Sequence, residues 1–142
     1  MSSLAIAAAA TAIIVGSVFA GGDAKAKRKL KKLFFGRQPK TNSCFYNRFF
    51  STSGVPENIV SKIRQVFQEH VSIDISQLEA DDDLSGDFSV IWNLDSLADV
   101  EIVVQLEKEF DIIISDEEAK AMTSFRKIVS GVWNKIQEKQ KC

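Results

Sequence analysis

Asn93-Leu94-Asp95-Ser96-Leu97-Ala98-Asp99-Val100-Glu101-Ile102-Val103-Val104-Gln105-Leu106-Glu107-Lys108-Glu109-Phe110 decides how the rest of the chain is read. Leu97, Val100, Val103, Val104, Leu106 and Phe110 recur at helical spacing and form an apolar stripe wider than one seam. Glu101, Glu107 and Glu109, with Asp111 just beyond, keep the other side acidic. The stretch predicts an amphipathic helix with Asp95 as its N-cap, because that carboxylate can accept from the free amides of a first turn. Ser96 then stands at the helix mouth, where those amides and the positive helix end favour a covalently held phosphate. The hydroxyl alone is inert without an external base.

Outward from this helix the periodicity holds, lapses and returns. Ile112-Ile113-Ile114 reads as a buried connector, and Ser115-Asp116-Glu117-Glu118 as a capping box opening a short helix. Phe125, Ile128, Val129, Val132, Trp133 and Ile136 follow the 3.6-residue period closely. Towards the N-terminus, Pro56 suits a first helical turn, and Ile59, Ile63, Val66, Phe67 and His70 continue that helix. Residues 71–94 lose the pattern and read as a long loop pinned by Ile73, Ile75, Leu78, Phe88, Val90, Ile91 and Trp92. The expected fold is all-α: a small antiparallel four-helix bundle over 57–142, with one short helix and a long loop between helices one and two.

Catalytic and metal chemistry find little support. Asp81, Asp83, Ser85, Gly86 and Asp87 match the early positions of a calcium loop, but Trp92 stands where a bidentate Glu belongs. His70, the one histidine, continues an apolar helix face and reads as a packed or rim residue. No G-x-S-x-G elbow surrounds a serine, and Cys44 and Cys142 have no partners suited to a thiol nucleophile or a metal site. The expectation is a non-enzyme without a metal.

The net charge of −1 conceals two unlike halves: residues 1–56 carry +8 and residues 57–142 carry −9. Leu4–Ala20 is an uncharged run of 17 residues. As a helix it would reach roughly 25 Å, at the short limit for a bilayer core. Lys25, Lys27, Arg28, Lys29, Lys31 and Lys32 follow it, and residues 24–50 contain no acid. Met1-Ser2-Ser3 has no basic side chain, which fits a cleaved secretory signal poorly. Lys29–Phe35 has the mix of a surface-binding amphipathic helix. Arg48, two residues before Phe50-Ser51, resembles an organellar presequence cleavage site. Residues 1–56 are thus expected to be a targeting leader or a membrane-anchoring extension, with membrane contact through 4–20. A basic, aromatic-rich segment can also hold nucleic acid, but no nucleic-acid motif accompanies this one.

Taken together, the 93–110 stretch and the following Ile112-Ile113-Ile114-Ser115-Asp116-Glu117-Glu118-Ala119 closely resemble the signature of acyl carrier proteins over about residues 57–138. The resemblance implies that Ser96 is the attachment site for 4′-phosphopantetheine, added from coenzyme A by a phosphopantetheinyl transferase. Acyl chains would ride as thioesters on that arm, sheltered by the bundle. It implies Asp95, Leu97, Glu101 and Glu107 as partner-recognition residues on an acidic helix that docks onto basic patches. The implied partners are type II fatty acid and lipoyl-precursor synthesis enzymes, LYR-motif proteins and respiratory complex I. The implied location is the mitochondrion, in matrix or inner membrane, with a complex plastid as the alternative. The family commonly has Gly where Asn93 stands and Asp where Ala98 stands. The second departure bears on transferase docking and favours an alternative role as an unmodified structural subunit that bridges partners.

Overall fold

The computed structural model describes residues 20–141, and every regular element among them is helical. In chain order these are α1 (Ala20–Leu33), α2 (Asn42–Phe49), α3 (Glu57–His70), a 3-10 turn (Asp87–Ser89), α4 (Val90–Leu94), α5 (Ala98–Phe110), α6 (Asp116–Ala121) and α7 (Phe125–Gln140). The expected membrane-contacting run 4–20 lies, apart from Ala20, outside the described residues.

Helices α3, α5 and α7 pack on one another as the centre of the bundle. The Pro56 carbonyl accepts from Ile59 and Val60, so α3 begins where a residue lacking an N–H loses nothing. Val60, Ile63, Val66 and Phe67 form its buried face. Helix α7 opens at Ser124, whose hydroxyl accepts from the Lys127 N–H at 3.2 Å, and buries Phe125, Ile128, Val129 and Val132. Helix α5 stops at Asp111, whose backbone is left-handed (φ 51°), a geometry a short polar side chain tolerates. The capping box of α6 forms as read: Ser115 Oγ accepts from Glu118 N, and Glu118 Oε1 accepts from Ser115 N.

Three expectations need correction. The 71–94 segment is not all loop, because it ends in the 3-10 turn and α4, which bury Phe88, Val90 and Ile91. Five residues make fewer than two turns, too few for a period to show. Ile112 and Ile114 are buried, but Ile113 is 81% exposed, since consecutive side chains of extended backbone point opposite ways. Lys29–Phe35 does not offer an apolar face to a surface. Ala26, Leu30 and Phe34, spaced by four, are buried where α1 packs on α4 and the 3-10 turn.

The change of charge at Glu57 is therefore not a change of core. Buried residues from Ala26 to Val132 form one apolar cluster. Phe45 and Phe50 meet Phe125 edge-on at centroid separations of 5.2 and 6.2 Å. Arg37 makes a two-pronged ion pair to the buried Asp82 carboxylate at 2.7 and 3.0 Å and lies over the Phe34 and Phe88 rings. Arg64 sits 4.5 Å from the Phe45 ring centre and donates to the Lys40 carbonyl, Asn42 Oδ1 and the Ser76 carbonyl. Arg126 joins Asp81 to the Phe49 carbonyl, so loop, α2 and α7 are tied at one point.

Two consequences are testable. Phe45 is 2% exposed, so Phe45→Ala leaves a cavity and should cost about 3–5 kcal/mol in urea unfolding, whereas Phe35→Ala at 88% exposure should change stability by less than about 0.5 kcal/mol. Equal, small effects would separate α2 from the core. The second concerns pH. Lys135, then the Ser115 N–H and hydroxyl, hold the Glu118 carboxyl down at about 2 from its ordinary 4.5. A depressed carboxyl contributes stability above its unfolded value and loses it as pH falls through the folded one. The stability difference between wild type and Glu118→Gln should be full above pH 4.5 and shrink towards nothing near pH 2. A difference that is constant with pH would contradict the assignment.

Candidate functional site

Helix α4 ends at Leu94, and a tight turn through Asp95, Ser96 and Leu97 leads into α5. The turn closes on the backbone: Asp95 N donates to Ile91 O, the Asp95 carbonyl accepts from Ala98 N at 2.9 Å, and the Leu97 carbonyl accepts from Glu101 N. Ser96 is exposed, and its hydroxyl makes no hydrogen bond among the described residues.

Asp95 does not cap α5. Its Oδ2 reaches back to the residue after α3's C-cap and accepts from the Ser72 N–H at 3.0 Å and the Ser72 hydroxyl at 3.1 Å. The N-cap position of α5 falls to Leu97, which has no polar side chain to offer; within the first turn the Asp95 carbonyl takes the Ala98 N–H, Asp99 Oδ1 the Val100 N–H and the Leu97 carbonyl the Glu101 N–H. A helix of 13 residues thus presents its positive end, with no N-cap side chain over it, beside a free hydroxyl.

The other predicted site residues divide. Leu97 is 51% exposed, and Glu101, Val100 and Val104 are exposed with it, giving α5 an outward strip of mixed apolar and acidic character. Glu107 is only half-exposed. Its Oε2 accepts from the Ile114 N–H at 2.9 Å, so it anchors the connector to α6 as well as carrying charge. Ala98 is 2% exposed, turned into the core, while Asp99 is exposed and caps the Val100 N–H.

Behind Ser96 the structure holds a cavity of about 320 Å³ between α3, α5, α6 and α7. Phe67, Val103, Leu106, Ile114, Met122 and Ile128 give it apolar walls; Asp99, Val100, Asp116 and Lys120 are exposed residues of its lining. Its volume is at the lower end of the range for small-ligand sites. Asp99 and Val100, three and four residues after Ser96, bring the first turn of α5 into its lining. Met122 carries no periodic signal that would mark it as a wall residue, because it stands in the short break between α6 and α7.

The acidic loop is occupied by its own contacts. Asp81 pairs with Arg126, Asp82 with Arg37, and Asp83 accepts from the Ser85 N–H and hydroxyl. Those partners hold the Asp81 and Asp83 carboxyls below the ordinary range. No group of three ligating side chains is gathered for a metal among the described residues. His70 is half-buried at the end of α3, with Nδ1 2.8 Å from its own helix's Val66 carbonyl. Cys44 is exposed on α2, and Cys142 lies outside the described residues.

No protein-family model matches the chain, and no solved structure does. Curated proteins do. The acyl carrier protein of Cyanidium caldarium is 32% identical over 83 residues, 58% of this chain and 92% of the relative. That of Buchnera aphidicola subsp. Acyrthosiphon pisum (strain 5A) is 38% identical over 81 residues, 56% of this chain and 94% of the relative. These relatives are matched over almost their whole length, and acyl carrier proteins carry acyl groups without catalysing their reactions. With an all-helical bundle, a free serine hydroxyl at an open helix end and an apolar cavity beside it, the chain belongs to the acyl carrier protein family.

Proposed function

We propose that Ser96 carries 4′-phosphopantetheine, and that the thiol of this arm holds acyl chains as thioesters. The observation that supports this most is an exposed, unbonded Ser96 hydroxyl beside the positive end of α5, whose N-cap residue offers no side chain. When bound, the arm supplies the thiol that no side chain here supplies. The chain holds the phosphodiester charge at the positive end of α5, keeps the serine accessible through the Asp95–Ser72 contact, and offers the apolar cavity to an acyl chain. Among the described residues no base is hydrogen-bonded to the Ser96 hydroxyl, so a separate phosphopantetheinyl transferase activates it.

The strip of Leu97, Val100, Glu101 and Val104 would dock the partners, with acid steering towards basic enzymes and leucine and valines supplying buried area. Type II fatty acid and lipoyl-precursor synthesis enzymes are the leading partners, with LYR-motif proteins and respiratory complex I as the assembly role. The mitochondrion fits the basic, acid-poor N-terminal half; a complex plastid is the second location. A structural subunit with unmodified Ser96 is the alternative reading. Its support is Ala98, where the family's acid is replaced by a methyl turned into the core, leaving Asp95, Asp99 and Glu101 to face the transferase.

With coenzyme A and a phosphopantetheinyl transferase, the wild-type chain should gain one arm by mass. Ser96→Ala should gain none while keeping its helical circular dichroism. Loading that survives the substitution would exclude Ser96; a wild-type chain that never loads would favour the structural subunit. Val103→Phe, which fills part of the cavity, should leave loading intact and speed hydrolysis of a long-chain thioester several-fold. No change in hydrolysis would place the acyl chain elsewhere.

A further inference from the structure

Helix α1 carries cations that the rest of the fold does not use. Elsewhere six basic side chains pair with acids, Arg37 with Asp82, Lys40 with Glu79, Lys62 with Glu109, Arg126 with Asp81, Lys135 with Glu118 and Lys139 with Asp111, and Arg64 and Lys127 bond to neutral oxygens. Lys25, Lys27, Arg28, Lys29, Lys31 and Lys32 are all exposed, and none pairs with a carboxylate among the described residues. Ala26, Leu30 and Phe34 mark the side of α1 that is buried. At 3.6 residues per turn, Lys25, Arg28, Lys29 and Lys32 fall together on the opposite side. Lys25 with Lys29, Lys27 with Lys31, and Arg28 with Lys32 are like-charge neighbours four apart, an arrangement that weakens an isolated helix. An ordinary solvated face mixes its signs; this one holds a single sign against its own repulsion, and an external polyanion would relieve it.

We propose that the outer face of α1 is a docking surface for an anionic lipid membrane. Charge complementarity selects an anion, and clusters of four to eight Lys/Arg on a helix suit acidic headgroups. Two observations select lipid over nucleic acid. Phe35, at 88% exposure, stands directly beyond Lys31 and Lys32 as an apolar group with nothing to cover it. The chain preceding α1 is the uncharged run Leu4–Ala20, so the face lies at the end of an apolar segment of sequence. The apolar side of α1 is already in the core, so docking leaves the carrier folded and is peripheral and electrostatic in character. The acidic strip on α5 would be repelled by such a surface, which favours its remaining free for partners.

The test is sedimentation of the full chain with phosphatidylcholine vesicles prepared with and without phosphatidylserine. Wild type should bind the phosphatidylserine vesicles more tightly than neutral ones, and the difference should fall as salt rises. The combined variant K25E/R28E/K29E/K32E should bind the acidic vesicles at least about tenfold more weakly. Unchanged near-ultraviolet circular dichroism would show it folded; if it does not fold, R28Q/K32Q serves with a loss of at least about fivefold. Equal binding to both vesicle types, or a folded variant that binds like wild type, would overturn the proposal. So would a single-stranded oligonucleotide that binds the wild type more tightly than the acidic vesicles do.

Discussion

The carboxylate of Asp95 has two competing sets of donors within reach of its place in the chain, the first turn of α5 and the group at Ser72. It takes the second. That choice ties the α4–α5 turn to the end of α3, 23 residues away in sequence, and so sets where α5 begins and how it leans on the bundle. It also leaves the helix without a side-chain cap at the point where Ser96 is exposed. The positive end of α5 keeps a place for negative charge that arrives later from outside.

The N-terminal half bears on this site through packing. Helix α1 lies on α4, the short helix that delivers the chain to Asp95. Phe34 and Phe88 stack at 5.6 Å, and Arg37 spans both rings to reach Asp82. The 3-10 turn and α4 are short and could not hold a shape alone. They are held between the bundle on one side and the basic segment on the other. The charge asymmetry of the sequence is thus partly internal, with Arg37 and Lys40 neutralising the acidic loop, and partly outward, on α1.

What could be read beforehand was local. The Ser115–Glu118 capping box, the apolar repeat of α7 and the serine at the mouth of an acidic helix each depend on residues within a few positions of one another. Features that depend on distant residues were not legible. Asp95 looks like a cap because nothing in its neighbourhood reveals Ser72. Helix α4 has fewer than two turns, too few for a period to disclose it. Phe45 and Phe50 resemble the flank of a processing site, and only the approach of Phe125 shows them to be core. The cavity draws on α3, α5, α6 and α7 at once, so Met122 gains its place as a wall residue from the tertiary fold.

The central claim is that the open helix end holds a phosphodiester on Ser96. The most direct measurement is mass spectrometry of the protein isolated from its own cells, with the peptide spanning Ser96 sequenced. This peptide should bear phosphopantetheine, free or acylated, on the Ser96 oxygen. A peptide carrying only the bare hydroxyl, in protein that is otherwise intact, would contradict it.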